Sequence, residues 1–226
     1  MELTINNITK QYGNVTVLDD VSYRFTPGIY GILGANGAGK TTLFRIICGL
    51  MRANCGNIQY DHKDIALQAE YYRSILGFLP QDFRYYPDFT GLNFMMYIAS
   101  LKGLNGKIAK KRCLDLLIQV GLDDVKNKKI RKYSGGMKQR LGIAQAMINN
   151  PEIFILDEPT VGLDPKERVK FRKLISSFAS EKIVLLSTHI VSDIEYIADE
   201  IIILKKGRIE NTGTIRYLLK DINKCV

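Results

Sequence analysis

Residues 29–42 read IYGILGANGAGKTT, and the fold turns on how this stretch is read. Ile29–Leu33 is an apolar run of the length of a buried strand. It runs into Gly34-Ala-Asn-Gly-Ala-Gly39-Lys40-Thr41, which fits the pattern Gly-x-x-x-x-Gly-Lys-Ser/Thr in full. Beyond the loop, Leu43, Ile46, Ile47 and Leu50 recur at helical spacing and predict one apolar helix face. Each residue type in the loop has a physical task. Gly34, Gly37 and Gly39 let the backbone curl so that its N–H groups point inward at phosphate oxygens. Lys40 adds a mobile positive charge at the β- and γ-phosphates. Thr41 offers a hydroxyl to Mg²⁺, and the helix start adds its partial positive charge. The predicted phosphate-binding set is Gly34, Asn36, Gly37, Ala38, Gly39, Lys40, Thr41 and Thr42.

Working outward, residues 153–158 read IFILDE. Four apolar residues in a row predict a strand buried on both faces, as in a parallel sheet. Asp157 and Glu158 then stand at its C-terminal end, where open α/β sheets bind ligands. Neighbouring residues at a strand end point different ways, so one carboxylate can serve the metal and the other the attacking water. Asp157 is assigned to Mg²⁺, through the metal's water shell, and Glu158 to the attacking water, as general base.

A second glycine turn stands at residues 133–140, YSGGMKQR. Ser134 is a good N-cap for a helix over about 137–147, and Gly135 and Gly136 keep the entrance free of side chains. Glycine in a first turn costs roughly 0.5–1 kcal/mol relative to Ala, so two in succession imply that something approaches the backbone closely. One phosphate loop already exists, so this turn binds elsewhere or serves the same kind of ligand on another molecule.

The chain has 226 residues, 46% hydrophobic and 24% charged, the balance of a globular protein with a core. Lys and Arg outnumber Asp and Glu by 32 to 23, a net charge of +9. That charge suits either solvated faces or an anionic partner. The four cysteines form no Cys-x-x-Cys pair and there are two histidines, which argues against structural zinc. The N-terminus has no apolar signal core and no run approaches the ~20 apolar residues of a membrane span. The expectation is a cytoplasmic protein with reduced thiols.

Taken in order, Tyr12, GANGAGKT, Gln81, SGG, ILDEPT, Gly162-Leu-Asp164 and Thr188-His189 resemble the ATP-binding subunits of ABC transporters over nearly the whole chain, from about residue 2 to 216. The resemblance implies a single domain over 1–226. It has a P-loop NTPase core with a mostly parallel sheet (about 1–81 and 151–226), an N-terminal antiparallel β region (about 2–28) and a helical insert lobe (about 82–150). It also implies that two such domains meet head to tail, as a homodimer or a heterodimer with a second ATP-binding subunit. The phosphate loop of one and the Ser134-Gly135-Gly136 turn of the other then clamp one ATP with Mg²⁺. By the same resemblance Tyr12 stacks on adenine, Gln81 touches Mg²⁺ and the attacking water, His189 holds the γ-phosphate, and Asp164 reaches across the dimer. Asp164 also reads as a helix N-cap, with Pro165 first and Glu167 third.

The implied activity is Mg-dependent ATP hydrolysis that powers a separate transmembrane permease, with the chain peripheral on the inner face of the cell membrane. The style of SGGMKQR and of YPDFTGLNFMMYIASLKGL is nearer to exporters than to importers. No nucleic-acid partner is expected, since the chain shows no second ATPase domain, coiled-coil insertion or zinc cysteines. No Asn-Lys-x-Asp is present for guanine, which argues against a GTPase. The signature turn departs from the family's Leu-Ser-Gly-Gly-Gln at Tyr133 and Met137. Met137 lacks the hydrogen bonds of a glutamine side chain. The aromatic and Met residues of the insert either pack its interior or form a docking groove for the membrane partner.

Overall fold

Alternation along one buried strand explains the architecture. In the computed structural model, which describes residues 1–222, β7 (Ile153–Asp157) is buried at every position. Ile153 and Ile155 enter one core, and Phe154 and Leu156 enter a second on the opposite face. Each such fully buried Ile, Leu or Phe contributes about 1.5–3 kcal/mol relative to exposure. A strand apolar on both faces requires layers on both sides, and the chain supplies them.

The first core lies between two sheets. An antiparallel sheet of order β2-β1-β4-β5 is built from β1 (Leu3–Tyr12), β2 (Val15–Phe25), β4 (Cys55–Tyr60) and β5 (Lys63–Asp64). Its Leu3, Ile5, Val21 and Ile58 face Ile32 of β3 (Gly28–Leu33), together with Leu43, Phe44 and Ile47 of α1 (Lys40–Ile47). The main sheet has the order β10-β9-β3-β8-β7-β6, with β6 (Leu76–Leu79), β8 (Ile183–Thr188), β9 (Glu200–Lys205) and β10 (Arg208–Gly213). Every pairing in it is parallel except that of β10 with β9. Two further helices, α2 (Ala69–Ser74) and α7 (Ile215–Ile222), complete the periphery. The second core fills the other face with α3 (Gly91–Leu101), α4 (Gly106–Gln119), α5 (Gly135–Ala146) and α6 (Pro165–Phe178).

Two expectations are corrected. Residues 55–64 belong to the antiparallel sheet rather than to the α/β core, because β4 pairs antiparallel with β1, Leu3 opposite Tyr60 and Ile5 opposite Ile58; beyond it Asp61 and His62 both take left-handed φ (46° and 65°). That is the geometry of a two-residue hairpin turn, and it folds β5 back on β4. Leu50 does not extend the α1 face: α1 stops at Ile47, and Leu50 is 66% exposed. The helix behind the Ser134 turn begins at Gly135, so both glycines lie inside its first turn. Among the cysteines, Cys48 and Cys113 are buried free thiols, Cys55 is exposed, and Cys225 lies outside the described residues.

Candidate functional site

The C-terminal ends of β3, β7 and β8 lie side by side, with Leu33 in register with Thr188 and Asp157 with Ser187. Three motifs far apart in the chain therefore end at one edge. After β3 the loop wraps into α1, whose N-cap is Gly39 (φ 108°) with no side chain capping it. The first N–H groups of α1 thus have no capping side chain, a ready site for an anion. Gly34 and Gly39 are glycines for close approach within the chain. A Cβ on Gly34 would stand 2.4 Å from the Leu204 carbonyl, and one on Gly39 would stand 2.8 Å from that of Val17. Gly37 (φ 81°) faces open space and owes its identity to its backbone angle.

Lys40 is 5% exposed. Its ammonium donates to the Gly34 carbonyl (2.6 Å) and the Ala35 carbonyl (3.2 Å) and lies 3.1 Å from Glu158 Oε1. Those carbonyls take the well-aligned donors, so Glu158 Oε1 has charge neutralisation but no aligned hydrogen bond. The other oxygen, Oε2, is 3.0 Å from Nδ1 of His189. A carboxylate at Nδ1 fixes the proton there and leaves Nε2 free.

Ser187 ties the two carboxylates together. Its hydroxyl donates to Asp157 Oδ1 at 2.6 Å and accepts the Glu158 N–H at 2.8 Å. Glu158 needs this support because its φ is 47°, a conformation that costs a non-glycine residue about 1–3 kcal/mol. Burial raises the pKa of the Asp157 carboxyl, opposed chiefly by the hydrogen bond from the Ser187 hydroxyl.

A cavity of about 260 Å³ is lined by Val17, Asn36, the run Gly37–Thr42, Gln81 and Glu158. A larger cavity of about 440 Å³ lies between the end of α1, β4 and α2, but none of the phosphate-loop residues or carboxylates named above lines it. Tyr12, Ser134, Gly135, Gly136 and Asp164 do not line the phosphate cavity. Tyr12 is 47% exposed, its hydroxyl donates to Met51 Sδ at 2.9 Å, and the Lys10 ammonium sits 5.3 Å from its ring centre. Ser134 caps α5, accepting the Met137 N–H at 3.2 Å, and Asp164 caps α6, accepting the Glu167 N–H at 2.9 Å. Met137 closes the α5 cap in the reverse direction, its sulfur accepting the Ser134 N–H at 3.5 Å. The sulfur thus takes over, weakly, the backbone bond that Glu or Gln makes from this position.

Sequence reasoning missed Ser187, the approach of Glu167 to the signature turn, and a buried cluster in which Thr160 donates to Asp193, which also receives Arg168 at 3.0 Å. Ser187 directly follows the apolar run of residues 183–186, a position that marks the strand's end but not the residue's task. The signal for the cluster was an arginine and an aspartate shortly after two motif turns.

Comparison with known proteins gives a consistent result. The family model described as ABC transporter matches residues 18–161. An uncharacterized ABC transporter ATP-binding protein of Bacillus subtilis strain 168, YxlF, is 34% identical over 96% of this chain and 72% of its own. The Nod factor export ATP-binding protein I of Burkholderia orbicola is 33% identical over 99% of this chain and 74% of its own. Among solved structures, the dimeric bacterial ABC transporter cassette MJ0796 superposes with a TM-score of 0.85 at 29% identity, covering 95% of this chain and 99% of that one. The phosphate loop before α1, the paired carboxylates ending β7 and this likeness along the whole chain agree: the chain belongs to the ABC transporter family and has the form of its ATP-binding subunit.

Proposed function

We propose that this chain hydrolyses Mg-ATP at an interface between two ATP-binding subunits and thereby powers a separate transmembrane permease that exports its cargo. The observation that carries the reading is the division of the site. Asn36 to Thr42 of the phosphate loop, Gln81 and Glu158 line one cavity, while Ser134, Gly135, Gly136 and Asp164 stand outside it on the N-termini of α5 and α6. Those termini have ligand-binding character and no partner at the chain's own cavity, so a second copy or a related subunit completes the site.

The residues fit a bound nucleotide with its cation. The N-terminus of α1 lacks a capping side chain, and Lys40 can turn from two carbonyls to phosphate oxygens. Among the described residues no three His, Cys, Asp or Glu side chains cluster as metal ligands. Thr41, Asp157 and Gln81 would therefore hold Mg²⁺ together with nucleotide and water oxygens, as is usual for this ion. Bound there, Mg²⁺ would supply positive charge that offsets the charge developing on the phosphate in hydrolysis. Lys40, on moving to phosphate, releases Glu158 Oε1 to accept the proton of the attacking water. His189 keeps the Glu158 carboxylate oriented and presents Nε2 toward the γ-phosphate, and Tyr12 offers its free ring face to adenine. The helical segment between about 82 and 150 is the lobe that meets the permease.

Export as the direction rests on relatives such as the Nod factor export protein. No helix among the described residues is long and apolar enough to cross a membrane. The test is the association state of Glu158→Gln in saturating Mg-ATP, measured by sedimentation. Dimers that dissociate on nucleotide removal are expected; a variant that stays monomeric sinks the shared site.

A further inference from the structure

Gly135 and Gly136 are adjacent, but space is arranged differently around them. A Cβ on Gly135 would meet nothing within 4 Å. On Gly136 it would stand 2.6 Å from Glu167 Oε2 and 3.0 Å from Cγ and Cδ of the same side chain. Glu167 belongs to α6, three residues after the Asp164 N-cap. Its side chain thus lies across the first turn of α5. Oε1 receives Lys170 at 2.7 Å, and Oε2 lies 3.6 Å from Arg140 Nε. Arg140 is in turn anchored, donating through one guanidinium nitrogen to the Val120 and Gly121 carbonyls at 3.0 Å each. Its Nε is buried without a hydrogen-bond partner. Buried donors are rarely left so, and a few tenths of an ångström of approach by Glu167 would satisfy this one.

We infer that Glu167 is a positioning residue that braces the first turn of α5 against the first turn of α6. Ser134-Gly135 and Asp164 are thereby presented to the second chain as one unit. Gly136 is glycine to admit the Glu167 side chain, whereas Gly135 is the glycine left open to the partner's nucleotide. The bond from Arg140 Nε to Glu167 completes as the two chains close. This rests on the shared-site reading above.

The experiment uses the full chain with Glu158→Gln as parent. Two quantities are read: affinity for a fluorescent ATP analogue at protein concentrations too low to pair, and the dimer dissociation constant in Mg-ATP. Thermal melts confirm folding. Glu167→Ala is expected to leave nucleotide affinity of the single chain within about twofold and to weaken dimerisation about tenfold. Glu167→Gln, which keeps the side chain's bulk but loses its charge, is expected between parent and Glu167→Ala. Gly136→Ala displaces Glu167, so the double variant Gly136→Ala/Glu167→Ala should dimerise no worse than Glu167→Ala alone. Losses from Gly135→Ala and Glu167→Ala should multiply, because those sites do different things. If the parent dimerises but the Gly136 and Glu167 losses also multiply, or Glu167→Ala pairs as well as the parent, the brace is overturned and the shared site stands. If the parent itself never dimerises, the shared site fails, and the brace with it.

Discussion

At Glu158 a strained backbone, burial and two cationic or ionisable neighbours meet in one residue. The left-handed turn brings the carboxylate between Lys40 and His189 rather than letting it continue the line of β7. Glu158→Gln preserves the size and the contact to His189 but removes the base. Hydrolysis should fall by roughly 10²–10⁴ with ATP binding retained, measured as phosphate release at saturating ATP; near-normal turnover would remove Glu158 as base. Ser187 is the support for this geometry. Ser187→Ala leaves the buried Glu158 N–H without its acceptor and Asp157 without a donor, and should destabilise the chain by about 1–3 kcal/mol in denaturant unfolding. The carboxylates themselves were legible in ILDE, since motif and strand pattern coincide there. Ser187 was not, because its task comes from the register of β7 with β8, which no local pattern encodes. The two signature glycines look alike in sequence for the same reason: Glu167 approaches only one of them, and only once α5 and α6 are packed.

Among the elements, those announced by local chemistry were readable. β3 with its loop and α1 follows from apolar run, glycines and helical spacing, and α6 from its Asp164 cap and Pro165. The fourth and fifth strands were not placed, although Ile58 and Tyr60 alternate with polar neighbours. The deciding feature was a hairpin turn made of Asp61 and His62, without the glycine that usually marks one. The insert splits what the sequence left open. Phe94 and Met95 are buried core, and the Tyr85 hydroxyl donates to the Lys138 carbonyl, while Tyr86 and Tyr97 are 49% and 37% exposed. The start of α3 also accounts for Tyr133 in the signature turn. Tyr133 is 5% exposed and its hydroxyl donates to the Val125 carbonyl at 2.8 Å. A Cβ on Gly91 would stand 2.3 Å from that hydroxyl. Helix propensity alone favours Ala over Gly, but the hydroxyl is anchored and cannot yield freely. Gly91→Ala should therefore destabilise by about 1–3 kcal/mol. The loss should shrink when Tyr133→Leu removes the hydroxyl. Equal losses in both backgrounds, by chemical unfolding, would show that the two positions do not constrain each other.

At the scale of the whole molecule, the chain has a net charge of +9, no spanning helix among its described residues, and an aromatic surface on the helical lobe. Tyr86 and Tyr97 meet edge to face with ring centres 5.5 Å apart, and Phe89 packs beside both. These rings stand on the segment that follows Gln81 in the chain, and Gln81 itself lines the phosphate cavity. Purification from native membranes in mild detergent should bring down a polytopic membrane protein. The paired change Tyr86→Ala/Tyr97→Ala should release it while leaving the association of Glu158→Gln in Mg-ATP intact, since neither ring belongs to the phosphate cavity or to the first turns of α5 and α6. Retention of the membrane protein by that variant would move the docking surface elsewhere on the lobe. Ribosomes or nucleic acid in its place, lost steeply with salt, would keep the ATP chemistry and discard transport as the work it drives.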